Sequence, residues 1–311
     1  MASDITPNIS STPGTEPSPA APGGKWVFFG PKGLRAGWRI SIFLPLATAF
    51  TTGLFLIKPL RRIAIGVHGA MTPRATIAVE AISVIAVIAA AAIMAIIEKR
   101  SFADYGLPMN QAFGKRFWQG LPLGFAMLSL LLGAIWAWHG FSLAGLAVSG
   151  ATAAKYGFLW AIAFFLTGVF EEFTFRGYLQ AALGDGIGFW PAALILAVLF
   201  GAAHLNNSGE AAFGAMMAGS FGLLEAFTLR RTGSLWLPIA MHASWDWGET
   251  YFYGVPDSGM TATGHLFNAT FHGTKWLTGG SVGPEGSLLV FPVLLIWALA
   301  IHLLFPKRAT T

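Results

Sequence analysis

The sequence has few charged residues and no cysteine. Lysine, arginine, aspartate and glutamate make up 11% of the 311 residues, 55% are hydrophobic, and the net charge is +5. Soluble domains carry about 25% charged residues, and a surface with less than half of that would expose apolar patches that drive association. The scarcity of charge therefore excludes an ordinary soluble protein and favours one whose solvent is the lipid bilayer.

The absence of cysteine excludes disulfides, a thiol nucleophile and any metal site with cysteine ligands. Histidine, aspartate and glutamate remain as metal ligands. The chain is basic overall, but its basic residues lie beside apolar runs rather than in one patch. Anionic lipid and membrane topology explain this placement better than nucleic acid does, so we expect the membrane lipid bilayer as a partner and no nucleic acid.

Long apolar runs organise the rest of the chain. A helix needs about 20 apolar residues to cross a hydrocarbon core about 30 Å thick. The fold class predicted is an all-α, polytopic transmembrane helix bundle with about eight spans, at 40–57, 75–97, 117–138, 157–183, 190–206, 211–229, 234–253 and 287–305. Residues 1–25 are rich in proline and predict a disordered N-terminal tail. Residues 26–311 are then one transmembrane helical domain.

The distribution of lysine and arginine predicts the orientation. With eight spans both termini lie on one side of the membrane, and most basic residues near span ends fall on that side. The positive-inside rule then places both termini in the cytoplasm, and we expect an integral protein of the plasma or inner membrane. Six basic residues fall on the opposite side, and four of them form a cluster between Lys58 and Arg74 that weakens this assignment.

Ionisable residues inside apolar runs cost about 2.5 to 3.5 kcal/mol each on insertion scales, and they usually face the bundle interior and mark function. Three of the eight runs hold most of them. Glu249 lies in the seventh, and the others are Glu171, Glu172 and Arg176 in the fourth, His204 near the end of the fifth, and His242 with Asp246 in the seventh. We expect these side chains to converge. Glu80 and Glu225 are interpreted as helix-packing groups.

Helical spacing separates the roles of these residues. Glu172 and Arg176 are four residues apart and can pair along one helix face. Glu171 lies about 100° around the helix from Glu172 and has no cation in its own helix, which leaves it free for chemistry. His242 and Asp246 are also four apart, so the carboxylate can orient or charge-stabilise the imidazole.

Two histidines and one or two carboxylates on three helices could hold a water molecule and activate it for attack on a carbonyl. The same set could ligate Zn²⁺, as catalytic sites with two histidines and a glutamate do. Its ligands would be Glu171, His204 and His242. No cofactor is required by the sequence, and zinc stays open as an option.

Three motifs in this region are similar to those of a known family. Residues 171–176 read EEFTFR and match EExxxR, residues 200–204 read FGAAH and match FxxxH, and residues 242–246 read HASWD and match HxxxN/D. In this order the chain resembles the CPBP (Abi) family, which includes CAAX prenyl endopeptidases and bacteriocin-processing intramembrane proteases. The peptidase motif core spans about 157–253, and residues 102–107 resemble the segment that precedes the core helices in bacterial members.

The resemblance implies an intramembrane endopeptidase whose substrate is a membrane-associated peptide or protein, or a prenyl- or lipid-like one. It implies that Glu171 and His204 activate the attacking water. The residues that it assigns to supporting the site or stabilising the oxyanion are Glu172, Arg176, Phe200, His242 and Asp246.

Asp246 departs from the eukaryotic CAAX endopeptidases, which have asparagine at this position. An ionised aspartate cannot donate a hydrogen bond to an oxyanion. Orienting His242 therefore suits Asp246 better, with metal binding as the alternative.

Two functions of other classes stay open. The buried carboxylates could relay protons or bind a cation in a proton- or cation-coupled transporter, although the inverted repeats of many transporters are not visible in this sequence. A noncatalytic immunity or scaffold protein could keep the motifs for stability alone. Gradient-dependent flux would indicate the first, and a Glu171 variant that loses stability as much as function would indicate the second.

Overall fold

The computed structural model describes residues 24–64, 71–207 and 212–306. All but the last two residues of the predicted disordered tail lie outside these ranges. The described chain is an all-α bundle with a few short strands, which confirms the predicted fold class.

Helices occupy all eight apolar runs of the sequence. The α-helices of the described residues, which include others outside these runs, are α1 (Ala36–Phe55), α2 (Lys58–Ala64), α3 (Pro73–Glu98), α4 (Lys115–Ala137), α5 (Gly150–Glu171), α6 (Gln180–Ile187), α7 (Phe189–His204), α8 (Ala212–Thr232), α9 (Trp236–Trp247), α10 (Lys275–Thr278) and α11 (Val290–Leu304). Two π-helical segments, Glu172–Leu179 and Gly248–Tyr253, follow α5 and α9 without a break.

Five helical segments of the described chain are long and apolar enough to cross a membrane. They are α1, α3, α4, α8 and the continuous helix Gly150–Ile187, which contains α5, the first π segment and α6. The apolar helices α7 and α11 are shorter, at 16 and 15 residues. Nearly every residue of α9 is buried, because α4, α5 and α8 pack around it. The seventh apolar run is thus the centre of the bundle.

Local sequence signals explain where the helices that carry the site begin and end. α3 begins after Thr72, whose Oγ1 accepts a hydrogen bond from Ala75 N, and Pro73 occupies its first position. Pro191 lies in the first turn of α7, where its missing N–H is tolerated. α7 ends at His204 and does not continue past Asn206, which places this histidine at a helix terminus.

The GxxxG motif at Gly120 and Gly124, which predicts close helix packing, faces α9. A Cβ atom at position 120 would lie 2.6 Å from the carbonyl oxygen of Leu237, and one at position 124 would overlap the Met241 carbonyl and Ser244 Oγ. The two glycines therefore let the backbone of α4 approach the helix that carries His242.

A buried ionic network ties α1, α3 and α6 together. Arg39 Nη2 lies 2.6 Å from Glu98 Oε2, and Arg39 Nη1 lies 2.8 Å from Asp185 Oδ2. The hydroxyl of Tyr178 donates to Glu98 at 2.6 Å, and that of Tyr105, in the 102–107 segment, donates to the same carboxylate at 3.2 Å. In the sequence, Arg39 is one of the basic residues near span ends that predict the membrane orientation. In the structure, it forms buried ion pairs that join three helices.

The loop between α9 and α11 is tied to the rest of the chain by backbone pairing. The strands are β1 (Phe29–Gly30), β2 (Gly33–Leu34), β3 (Phe141–Leu146) and β4 (Phe267–Phe271). β3, which follows α4, pairs antiparallel with β4 in the loop. Met71 N donates to the carbonyl of Thr261 at 2.7 Å, so the loop also joins the segment before α3. These contacts hold the loop over one end of the bundle.

We expect Gly124→Ala to lower the free energy of unfolding by about 1–3 kcal/mol, because a methyl group there overlaps α9 and overpacking costs that much. Gly133→Ala is the matched control, since a Cβ at position 133 of the same helix meets nothing within 4 Å. Thermal melts of both variants in detergent measure the difference. Equal melting temperatures would contradict the close contact between α4 and α9.

Candidate active site

The fourth apolar run changes its helical geometry at the EExxxR motif. α5 ends at Glu171, and the π-helical segment Glu172–Leu179 begins at the next residue. The side chain of Glu171 is 21% exposed, whereas that of Glu172 is 0% exposed. The two adjacent carboxylates therefore have different environments, and π-helical turns of this kind are frequent at functional sites.

Glu172 accepts hydrogen bonds from two of the three motifs. Its Oε1 accepts from Arg176 Nη1 at 3.1 Å, as the four-residue spacing predicts, and from His242 Nδ1 at 2.8 Å. Arg176 Nε donates to the carbonyl of Gly222 at 3.2 Å, and its guanidinium carbon lies 4.1 Å from the ring centroid of Phe200. The EExxxR, FxxxH and HxxxD motifs are thus in direct contact through buried side chains.

The contact with Glu172 fixes the proton and orientation of His242. A carboxylate paired with an arginine is an acceptor only, so Nδ1 of the imidazole carries the hydrogen. His242 Nε2 points the other way, 3.6 Å from Glu171 Oε2 and 3.5 Å from Asp246 Oδ2. Glu172 therefore holds the ring from behind, and Glu171 and Asp246 flank the opposite nitrogen.

His204 is oriented by its own helix. Its Nδ1 lies 2.8 Å from the carbonyl oxygen of Phe200, one turn earlier. A carbonyl can only accept, so Nδ1 donates this hydrogen bond, and Nε2 of the neutral ring keeps its lone pair. The Phe200 ring packs against the imidazole with centroids 4.6 Å apart, which further restricts its rotation.

A cavity of about 250 Å³ joins these residues. Its walls include Glu171 from α5, Phe200 and His204 from α7, and His242 and Asp246 from α9. A space of this size with several polar groups can hold water molecules. The structure therefore brings Glu171, His204, His242 and Asp246 to one cavity, with Glu172 directly behind His242.

The predicted zinc ligands do not form a compact donor set. Within the described ranges, the group of acidic or histidine side chains whose ligand atoms all lie within 4.8 Å of one another is formed by Glu249, Asp257 and Glu285. Glu171, His204 and His242 do not form such a group. Zinc binding by these three residues stays a prediction, and the peptidase mechanism does not depend on it.

Three further carboxylates line the same cavity, although the sequence did not assign them to the site: Glu80, Asp257 and Glu285. Glu80, interpreted from the sequence as a packing group, has a buried Oε2 without a hydrogen-bond partner among the described residues. Burial and the charge of Glu285 raise the pKa of Asp257 to about 8. The only sequence signal for Asp257 and Glu285 was that acidic residues are scarce. The chain has just 14 of them, and these two lie in the loop after α9.

We expect Arg176→Met to lower the free energy of unfolding by about 3–5 kcal/mol, because it leaves the buried Glu172 carboxylate without its cation. The double variant Glu172→Gln/Arg176→Met should recover most of this loss, since removing both charges removes the unpaired one. Chemical or thermal unfolding in detergent measures both. A double variant as unstable as the single one would show that the pair is not what stabilises this region.

Comparison with known proteins identifies a similar family. Residues 153–248 match the family model described as type II CAAX prenyl endopeptidase Rce1-like. The matched segment runs from α5 to the end of α9 and contains all three motifs, which confirms the resemblance. No curated protein and no solved structure matches the chain. Over residues 153–248, the chain is thus similar to the type II CAAX prenyl endopeptidase Rce1-like family.

Proposed function

We propose that the protein is an intramembrane endopeptidase that hydrolyses a peptide bond of a membrane-associated peptide or protein. The supporting observation is the shared cavity, in which Glu171 and His204 face the space in front of a histidine that Glu172 holds from behind. A base and a hydrogen-bond donor on either side of one small space are what attack by water on a carbonyl requires.

In this mechanism a water molecule is held between Glu171 and His204. Nε2 of His204 accepts one hydrogen bond from the water, because Nδ1 is already committed to the carbonyl of Phe200. The Glu171 carboxylate takes the other proton as the water oxygen forms a bond to the substrate carbonyl carbon. The carbonyl oxygen then carries the negative charge of the tetrahedral intermediate.

His242 stabilises that oxyanion. Its Nε2 lies 3.6 Å from Glu171 Oε2, so an oxyanion next to the attacking water is within reach of an Nε2–H donor. Asp246, 3.5 Å from the same nitrogen, balances the charge of a doubly protonated ring. Glu171 then gives its proton to the amide nitrogen as the C–N bond breaks, which restores the carboxylate.

The rest of the wall supports a substrate with an apolar part. Phe164, Met217, Phe221, Val290 and Leu294 line the cavity beside the polar groups. We propose that an apolar or lipid-modified segment, such as a prenylated one, packs against these side chains while the scissile bond lies at Glu171.

We further propose an orientation with both termini in the cytoplasm, in a plasma or inner membrane. The zinc option stays a prediction.

We expect Glu171→Gln to lower kcat by about 100- to 10,000-fold while the protein stays folded, because the amide keeps the shape of the carboxylate but cannot accept the proton. Glu80→Gln, which neutralises another carboxylate of the same cavity, is the matched control and should keep most activity. The assay is cleavage of a panel of prenylated and unprenylated peptides by protein in proteoliposomes.

Full cleavage by Glu171→Gln would exclude Glu171 as the base. If wild-type protein cleaves nothing but shows gradient-dependent flux in the same proteoliposomes, the transporter alternative is favoured. A Glu171→Gln variant whose melting temperature falls in step with its activity would favour a purely structural role.

His242→Gln should lower kcat by about 100- to 1,000-fold and leave KM nearly unchanged, because the Nε2–H donor acts on charge that develops in the transition state. Asp246→Asn should cost less, since the amide keeps a polar atom beside the same nitrogen. Steady-state kinetics on one cleaved peptide provide the comparison. A loss confined to KM would mean that His242 binds substrate rather than the oxyanion.

A further inference from the structure

Three carboxylates meet at the edge of the cavity, apart from the motif residues. Glu249 lies in the π-helical segment after α9, and Asp257 and Glu285 lie in the loop that covers this end of the bundle. One oxygen from each lies within 4.8 Å of the other two. Asp257 and Glu285 also line the cavity, so the cluster adjoins it.

Neighbouring donors hold these carboxylates in place. Trp245 Nε1 donates to Glu249 Oε2 at 2.9 Å and also to Glu285 Oε1 at 3.2 Å. The backbone N and the Oγ of Ser258 donate to Glu285 Oε2 at 3.1 and 2.7 Å. Thr250 Oγ1 donates to Asp257 Oδ2 at 3.0 Å. Indole, hydroxyl and backbone groups thus orient all three acids toward one another.

One carboxylate oxygen of Glu249 has no hydrogen-bond partner among the described residues. Glu249 is fully buried, and this oxygen is its Oε1. A buried acceptor without a partner loses the hydrogen bonds it had in water. The orphaned oxygen belongs to the carboxylate that is farthest from solvent, so it indicates a ligand that the side chains themselves do not supply.

The cluster also lacks a cation of its own. Across residues 24–64, 71–207 and 212–306, the ion pairs that we observe do not include Glu249, Asp257 or Glu285. Buried carboxylates this close together must bind either protons or a cation to relieve their mutual repulsion. A bound metal ion would balance the negative charge and would also give the unpartnered oxygen of Glu249 a partner.

We propose that Glu249, Asp257 and Glu285 form a binding site for a hard divalent cation of the Ca²⁺ type. The donors are all oxygens, with no histidine or cysteine among them, which suits Ca²⁺ or Mg²⁺ rather than Zn²⁺. Two oxygens that share one Ca²⁺ at about 2.4 Å lie at most about 4.8 Å apart, and the cluster meets this limit. Mg²⁺ needs shorter bonds and a stricter octahedron, so Ca²⁺ fits better.

The cation would act on structure rather than on the peptide bond. It joins the helix that carries His242 and Asp246, through Glu249, to both ends of the covering loop, through Asp257 and Glu285. The ion would thereby fix the loop residues that form one wall of the cavity. Water from the cavity would supply its remaining ligands.

The test uses purified full-length protein in detergent, stripped with EDTA and then titrated with Ca²⁺ or Mg²⁺. We expect saturating Ca²⁺ to raise the melting temperature by about 5 °C and to give a calorimetric binding signal, with Mg²⁺ weaker on both. The double variant Glu249→Gln/Asp257→Asn should lose both responses. In EDTA it should be at least as stable as wild type, because its substitutions remove like-charge repulsion.

Glu80→Gln is the matched control, because it neutralises a carboxylate of the same cavity outside the cluster, and it should keep the full Ca²⁺ response. The proposal is overturned if wild type responds to neither ion, or if the double variant responds as wild type does. It is also overturned if Glu80→Gln or Glu171→Gln alone abolishes the response, since the ion would then bind among the motif residues. None of these readouts requires peptidase activity.

Discussion

The buried hydrogen bond between Glu172 and His242 is the contact on which the arrangement of the site depends. It joins the long helix Gly150–Ile187 to the central helix α9 at 2.8 Å. The same carboxylate oxygen is held by Arg176, whose guanidinium packs on Phe200 of α7. One carboxylate thus sets the relative positions of three helices and turns the Nε2 atom of His242 toward the cavity.

This contact also explains why the few ionised groups inside the bundle lie close together. Each ionised group buried in a bilayer protein is costly unless it is paired. Arg176 balances Glu172 behind the cavity, and Arg39 balances Glu98 and Asp185 at a second site between α1, α3 and α6. Glu171 is left lining the cavity, with its side chain partly exposed.

The sequence could predict the part of this site that depends on spacing within one helix. The four-residue separation of Glu172 and Arg176 gives the ion pair that is observed. The scarcity of charge in apolar runs identified four ionisable residues that share the cavity, namely Glu171, His204, His242 and Asp246. The length of the apolar runs also predicted the helix that is observed in each of them.

Contacts between segments that are far apart in sequence could not be predicted in this way. Neither propensity nor spacing indicates that Glu172, rather than Asp246, holds Nδ1 of His242, or that Asp257 and Glu285 reach the cavity from a loop. Arg39 was indistinguishable from a basic residue at a helix end. Such contacts depend on how the helices pack, and this is decided partly by backbone approaches such as that at Gly124.

The most direct test of the account is a double-mutant cycle on peptide cleavage with Glu171→Gln, His204→Ala and the combined variant. If both side chains act on the same water molecule, their effects are not independent. The account predicts that the combined variant is no slower than the slower single variant. Rate losses that multiply would contradict it, because they would mean that Glu171 and His204 act at separate steps or separate places.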